Sequence, residues 1–299
     1  NLKKAKRIKS PVKGCPIENP KKSGNGEPFL IYKNGNSWSV QVISNKYPAF
    51  SPEKKRVKFF KRGPYSVINA VGHHNLVVTR KHDKNFPALK TKEANLVFKA
   101  FIERYKQVAQ DKNSAYVSIF HNWGPGAGAT VYHPHYQMIG IPVVPPDVRH
   151  SLGGSSNYFK KNKKCVHCVM IKHEKEIKKR VICENKEAIV FTPFVSREPF
   201  ELRIFPKRHF PYFEDTPENV MKLIVDVLQA ALKKIERKLH NPDYNFFIHT
   251  APVLNKNKFR HYHWHIEIQP KVSISAGFEL GTGIEITVID PDEAAKILR

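Results

Sequence analysis

The chain has 299 residues, 40% of them hydrophobic, which is enough for one large packed domain or two modest ones. No apolar run approaches a membrane span and the N-terminus lacks a secretory apolar segment, so we expect a soluble, cytoplasmic protein with reduced cysteines and no membrane partner. The net charge of +25 favours anionic partners without choosing between phosphorylated metabolites and nucleic acid, and a lysine-biased proteome would explain it equally well.

The first half begins with a basic stretch, 1–14, which we predict to be a flexible arm. A β-rich run, NLVVTRKHD, then ends in basic residues and His82. The helical spacing of Val97, Phe101, Tyr105 and Val108 predicts a helix over about 92–111. Two further β-rich runs, AYVSIFHN and HPHYQMIGIP, complete this half.

A glycine-rich loop lies between these last two runs, in the stretch HNWGPGAGATVYHPHYQ. Gly124, Gly126 and Gly128 lack a Cβ, so their backbone can press amides against an anionic ligand. His133 and His135 then point to one side of a strand, because strand side chains repeat every two residues. The loop therefore predicts a phosphate-compatible site, and the plain alternative is a turn entering a strand that happens to carry histidines.

The second half repeats this order. A polar segment, 150–164, is predicted to be a linker, and a Cys-x-x-Cys follows it. The run FELRIFPKRH, a helix over about 217–239, and the runs YNFFIHTAP and HYHWHIEIQP then match the elements of the first half. His82 to His209 spans 127 positions, and His135 to His263 spans 128, as does Pro142 to Pro270.

This near-constant offset indicates an internal duplication. We predict an α+β fold of two tandem units, 15–149 and 165–299, each an antiparallel sheet with one long helix.

Two groups of metal ligands follow from the repeat. Cys165, Cys168, His209 and one histidine of HYHWH form the ligand set of a closed zinc site, which either His261 or His263 would complete. In the first half the set is Cys15, Glu18, His82 and His133, with Glu18 where a second cysteine is expected. A carboxylate binds zinc less tightly than a thiolate, so this second site is expected to be weaker, or Cys15 is a buried thiol and no site exists.

These residues resemble the galactose-1-phosphate uridylyltransferase family of the histidine-triad superfamily, and most closely its ADP-glucose phosphorylase-like branch. The resemblance covers most of residues 15–299, and its matching segments are NKYPAF, RKHD, NWGPGAGATVYHPHYQ, the Cys-x-x-Cys, PFVSREPFELRIFPKRH, NPDYNFFIHTAP, HWHIEIQP and AGFELGTG. Departures from the family are Glu18 and Thr287, the latter in place of a usual asparagine.

The resemblance implies nucleotidyl transfer from a nucleoside-diphosphate sugar by double displacement. His135 would be the nucleophile, with its other ring nitrogen held by a nearby backbone carbonyl, and His133 would bind metal. Gln137 would donate to a phosphate oxygen. The remaining substrate contacts that the resemblance implies are Asn45 and Asn122 to nucleoside and phosphate, Gly128 and Thr130 to the phosphates, and Glu279 to a sugar hydroxyl.

The residues leave the acceptor of the nucleotidyl group open. Hexose 1-phosphate, as in UDP-glucose:hexose-1-phosphate uridylyl transfer, is placed slightly ahead of phosphate, as in an ADP-sugar phosphorylase. A dinucleoside-polyphosphate phosphorylase or hydrolase and a basic zinc protein that binds nucleic acid are less favoured candidates. Nucleic acid is not the expected partner, because the chain lacks paired zinc-finger spacing and an aromatic RNA-binding signature. We expect a homodimer.

Overall fold

The computed structural model describes residues 9–299, so residues 1–8 of the predicted arm lie outside the described part. The strands of the described part are β1 (Leu30–Asn34), β2 (Ser37–Ser44), β3 (Phe60–Arg62), β4 (Tyr65–Val67), β5 (His73–Thr79), β6 (Tyr116–Trp123), β7 (His135–Ile141), β8 (Val181–Glu184), β9 (Ala188–Phe191), β10 (Leu202–Pro206), β11 (Tyr244–His249) and β12 (His265–Pro270). The helices are α1 (Thr91–Ala109), α2 (Pro146–Asn162), α3 (Val166–Ile177), α4 (Glu218–Lys238), α5 (Gly277–Thr282) and α6 (Pro291–Leu298).

Ten of these strands form one sheet, and β3 and β4 form a separate hairpin. The order in the sheet is β1-β2-β5-β7-β6-β11-β12-β10-β9-β8, with neighbours antiparallel. Each half of the chain contributes five consecutive strands. The α+β class is confirmed, but the two predicted sheets are continuous, because β6 of the first half pairs with β11 of the second.

The two long helices confirm the predictions from apolar spacing. Helix α1 packs on β2, β5 and β6, and α4 packs on β8, β9 and β10. Val97, Phe101 and Tyr105 of α1 are fully buried. Burial of each large apolar side chain contributes about 1.5–3 kcal/mol, which exceeds any helix propensity term. The helical stripe seen in the sequence is therefore the surface that holds each helix on the sheet.

The prediction that 150–164 is an irregular linker is wrong, because helix α2 extends through most of this segment. Val148, Leu152 and Ser155 lie on one buried side of this helix. Gly153 and Gly154 face open space, so they cost helix propensity of about 1 kcal/mol each without disturbing the packing. Burial of these three side chains stabilises the helix by more than the two glycines destabilise it. The connection between the halves therefore contains an ordered helix.

Candidate active site and metal centres

The ring of His135 opens β7 and is buried except for 9% of its surface. Its Nδ1 lies 2.9 Å from the carbonyl oxygen of His133. Because a carbonyl only accepts, Nδ1 carries the ring proton and Nε2 keeps its lone pair. Burial lowers the pKa of His135, so the ring is neutral near pH 7. The structure thus supplies the expected backbone acceptor and leaves Nε2 in the state of a nucleophile.

A cavity of about 290 Å³ lies beside this ring. Three of the predicted substrate residues, Asn45, Thr130 and Gln137, line it together with His135. Ile17 and Leu76 add apolar surface, and Lys46 and Tyr47 add a cation and an exposed ring. An apolar wall with a few polar groups and a cation suits a nucleotide. A larger cleft, of about 510 Å³ between α1 and α4, contains none of the predicted site residues.

Three other predicted substrate residues do not line the cavity of His135. The Asn122 side chain accepts a hydrogen bond from Nδ2 of Asn245 at 2.8 Å and lines a neighbouring groove of the sheet. Gly128 ends the turn after β6 with a left-handed φ of 84°. Glu279 lies in α5, where its Oε2 accepts from the backbone N–H of Ala276 at 2.9 Å. The substrate contacts of these three residues stay predictions.

The glycine-rich turn differs from the predicted anion cradle. The N–H of Gly126 donates to Oδ2 of Asp243 at 2.6 Å, and a Cβ on Gly124 would lie 1.9 Å from Oδ1 of the same residue. The next amides, those of Ala127 and Gly128, donate to backbone carbonyls of the turn. These amides are therefore occupied by the protein itself. The glycines are needed because a carboxylate from the second half packs directly against the turn.

The predicted metal ligands of the second half come together. Ligand atoms of Cys165, Cys168, His209 and His263 all lie within 4.8 Å of one another. Sγ of Cys168 lies 3.4 Å from Nδ1 of His209 and 3.5 Å from Nδ1 of His263. Both rings direct Nε2 at a backbone carbonyl, of Arg260 at 2.8 Å and Pro206 at 3.0 Å. Rings held in this way by a carbonyl are typical of metal ligands.

The first half has a similar but incomplete group. Ligand atoms of Cys15, His82 and His133 lie within 4.8 Å of one another. Oε2 of Glu18 lies 3.7 Å from Nδ1 of His133 and 3.8 Å from Nδ1 of His82, while its other oxygen pairs with Arg80. Nε2 of each histidine again points at a carbonyl, of Thr79 at 2.7 Å and of Ser10 at 2.8 Å. The Ser10 contact ties part of the predicted flexible arm to this group.

The repeat register inferred from the constant offset is wrong by two positions in the last strand. His263 occupies the place of His133, since both direct Nδ1 at a cysteine, and His265 occupies the place of His135, with Nδ1 3.2 Å from the His263 carbonyl. Residues 250–264 connect β11 to β12, whereas 124–134 connect β6 to β7, so the longer connection shifts the offset. His261 is excluded as the ligand, because its Nε2 faces the Leu152 carbonyl and its ring lies outside the cluster.

A third group of ligand-type side chains contains no residue that the sequence analysis predicts for the site. His249, His265 and Glu267 place ligand-type atoms within 4.8 Å of one another on the same face of the sheet. Glu267 stands where Gln137 stands in the first half, and Arg203 lies 3.4 Å from it. Only the corrected register reveals this correspondence.

No described helix is long and apolar enough to cross a membrane.

Comparisons with known proteins agree on one family. Residues 30–298 match the family described as a domain of unknown function (DUF4921). An ADP-glucose phosphorylase of Arabidopsis thaliana is 32% identical over 276 residues, covering 91% of this chain and 77% of that protein. A galactose-1-phosphate uridylyltransferase of Thermotoga maritima is 26% identical over 271 residues, covering 88% and 84%. The crystal structure of an Arabidopsis thaliana ADP-glucose phosphorylase with bound ADP-glucose has a TM-score of 0.84 and 29% identity, covering 96% and 89%.

Proposed function

Because this chain belongs to the galactose-1-phosphate uridylyltransferase family, in its ADP-glucose phosphorylase branch, we propose that it cleaves an ADP-sugar with phosphate through an adenylyl-histidine. The chain is an enzyme of nucleotidyl transfer from sugar nucleotides. The observation that carries the mechanism is the His135 ring, with Nδ1 bound to the His133 carbonyl and Nε2 beside the cavity.

The first half-reaction forms the covalent intermediate. The Nε2 lone pair of His135 attacks the α-phosphorus of the ADP-sugar, and the bond to the bridging oxygen breaks. The sugar 1-phosphate leaves with that electron pair. The Nδ1 proton stays on the ring, where the His133 carbonyl stabilises the positive charge of the adenylated imidazole.

The second half-reaction releases the nucleotide. An oxygen of phosphate attacks the same phosphorus, the phosphorus–nitrogen bond breaks, and its electrons return to Nε2, so the product is ADP. Gln137, two positions from His135 on the same strand face, donates to the phosphate in both steps. Lys46 at the cavity supplies positive charge for the entering anion.

The preference for a UDP-sugar and a hexose 1-phosphate acceptor is revised. The identity to the ADP-glucose phosphorylase is 32% over 91% of the chain, against 26% over 88% for the uridylyltransferase. These values favour adenosine and phosphate. Uridylyl transfer to a hexose 1-phosphate is therefore the second candidate, and it uses the same histidine.

We propose that zinc occupies both ligand groups, firmly at Cys165, Cys168, His209 and His263. The hydrogen bond between the two sulfurs, aided by the nearby histidines, lowers the pKa of Cys165 and raises the pKa of Cys168, so one of the two sulfurs already has the character of a thiolate ligand. In the first half, Oε2 of Glu18 and Nδ1 of His82 are buried without a hydrogen-bond partner, and a cation would satisfy both. Bound zinc would supply a rigid structural link, and no step of the reaction passes through it.

We also propose a homodimer in the cytoplasm. The segment 274–288 exposes large apolar side chains, with Ile274, Leu280 and Val288 each at least 78% exposed. Large apolar side chains exposed at several positions of one short segment favour a contact with another protein. All four cysteines are unpaired, which suits a reducing compartment.

The test is mass spectrometry of the intact protein after incubation with ADP-glucose or UDP-glucose. We expect an adenylyl adduct from ADP-glucose and little or none from UDP-glucose. After removal of free substrate, phosphate should discharge the adduct as ADP, while galactose 1-phosphate should not. A uridylyl adduct discharged only by the hexose phosphate would establish the second candidate instead.

A further inference from the structure

A buried histidine, His74, lies beneath the residues that line the cavity of His135. It belongs to β5 and is 8% exposed. Its ring contacts three groups: the backbone N–H of Ala49, the amide of Gln137 and the amide of Asn45. Two of these partners, Gln137 and Asn45, line the cavity. The ring is therefore placed to orient side chains that meet the substrate.

The contacts define the protonation of the His74 ring. The backbone N–H of Ala49 lies 3.1 Å from Nδ1, and because this N–H can only donate, Nδ1 is the acceptor. The single proton of the neutral ring is then on Nε2, which lies 2.9 Å from Oε1 of Gln137. The ring thus donates to the carbonyl end of the Gln137 amide.

This donation decides which end of the amide the substrate meets. With Oε1 bound to His74, the NH₂ group of Gln137 is free to face the cavity. The reverse orientation would present an amide oxygen to an anionic phosphate and leave the Nε2 proton of His74 without an acceptor among its contacts. Asn45 is oriented by the backbone and not by His74, because its Oδ1 accepts from the N–H of Tyr47 at 3.0 Å, and its NH₂ group then lies 3.1 Å from Nε2 without a hydrogen bond to it. Its protons find no acceptor on His74 and stay available to a ligand.

We propose that His74 is a positioning residue, which locks the Gln137 amide with its NH₂ group toward the reacting phosphate. The inference rests on the proposed nucleotidyl transfer. His74 itself does not contact the substrate, so a substitution of His74 should change the reaction rate only through the orientation of Gln137.

The experiment compares His74→Gln with His74→Glu, which have the same size. Glutamine can accept from Ala49 and donate to Gln137, whereas an ionised glutamate can only accept and would turn the Gln137 amide around. The measurement is the single-turnover rate of adduct formation with ADP-glucose, read by mass spectrometry. We expect His74→Glu and His74→Ala to be slower by about 10- to 100-fold, with Gln recovering most of the loss.

A double-mutant cycle separates positioning from a general structural effect. In the Gln137→Ala background, His74→Ala should cause little further loss, because the group it orients is gone. His73 is the matched control, since it pairs with Asp111 at 2.7 Å and does not line the cavity. His73→Gln should leave the rate of adduct formation unchanged in the folded protein.

The outcomes distinguish the two proposals. Absence of any adduct in the unsubstituted protein would overturn the proposed function before His74 is considered. If the unsubstituted protein forms the adduct, equal rates for His74→Gln and His74→Glu would overturn the role of His74. Additive losses from His74→Ala and Gln137→Ala would do the same. If the His74→Ala variant fails to fold, the comparison of adduct formation by His74→Gln and His74→Glu still tests the role of His74.

Discussion

At the scale of single residues, His133 and His135 differ in which ring nitrogen the backbone holds. His133 directs Nε2 at the Thr79 carbonyl and leaves Nδ1 facing Cys15 at 3.6 Å. His135 directs Nδ1 at the carbonyl of His133 and leaves Nε2 facing the cavity. The same side chain thus serves as a candidate metal ligand in one position and a candidate nucleophile in the other.

Replacing His135 by glutamine or alanine should abolish the nucleotidyl adduct and leave the protein folded, because this ring is outside the metal groups. Loss of the nucleophile should lower turnover by about 10⁴-fold or more. Steady-state kinetics and intact mass measure these two effects, with circular dichroism as the control for folding. Near-normal turnover by the alanine variant would exclude His135 as the nucleophile.

Asp243, in the second half of the chain, should stabilise the glycine-rich turn of the first half through its contact with Gly126. Asp243→Ala leaves the Gly126 N–H without its acceptor, so the free energy of unfolding should fall by about 1–3 kcal/mol and adduct formation should slow. Asp243→Asn retains an acceptor oxygen and should behave more mildly. Urea unfolding measures the stability, and equal stability of the alanine and unsubstituted proteins would show that the contact contributes nothing.

At the scale of elements, the second metal group joins the start of α3 to the ends of two strands. Cys168 lies in α3, His209 follows β10 and His263 precedes β12. Cys168→Ser, or removal of zinc by a chelator, should lower the midpoint of thermal unfolding, with a loss in the free energy of unfolding on the order of several kcal/mol. The folded fraction should keep most of its activity, because a closed site offers no position to substrate.

Elemental analysis checks the metal itself. A mild chelator should remove metal from the Cys15 group, which has one thiolate, before it removes metal from the group with two. Protein purified without chelator that contains no zinc would contradict the proposal for both groups.

The sequence predicts elements well where a buried stripe repeats with a helical period, as in α1 and α4. It fails for α2, because Gly153 and Gly154 hide a short buried stripe. It also pairs His263 with the wrong residue of the first half, His135 in place of His133, because an offset measured along the chain cannot register the extra residues of the 250–264 connection. The metal ligands can be predicted from the positions of cysteine and histidine in the sequence. The contact between Asp243 and Gly126 cannot, because it joins segments that are far apart in the chain and no neighbouring residue indicates it.

At the scale of the whole molecule, the exposed apolar segment 274–288 leads to a prediction about assembly. Leu280→Glu, at a side chain that is 78% exposed, should convert a dimer to monomers without loss of monomer stability. Light scattering coupled to size exclusion measures the mass. Leu254→Glu, at a 42% exposed position outside the segment, is the matched control. A monomeric unsubstituted protein would refute the dimer.

The duplication is visible in the sequence, but the joining of the two halves is not. Pairing of β6 with β11 uses backbone groups, which every residue carries, so no side-chain pattern identifies it. Asn245 strengthens the junction by donating to Asn122 and to the Ala127 carbonyl, both at 2.8 Å. The halves are therefore one structural unit even though their sequences read as two.

The place of β7 within the ten-stranded sheet has a consequence for motion. This strand lies between β5 and β6, whereas the sheet ends at β1 and β8. Amide hydrogens of β7 should exchange with deuterated solvent much more slowly than those of the two edge strands, because exchange there requires opening on both sides. The segments around Tyr47 and Thr130 line the cavity beside this strand, so we expect them, and not β7, to move when substrate enters and product leaves. Their amides should be the ones whose exchange slows when a nucleotide binds.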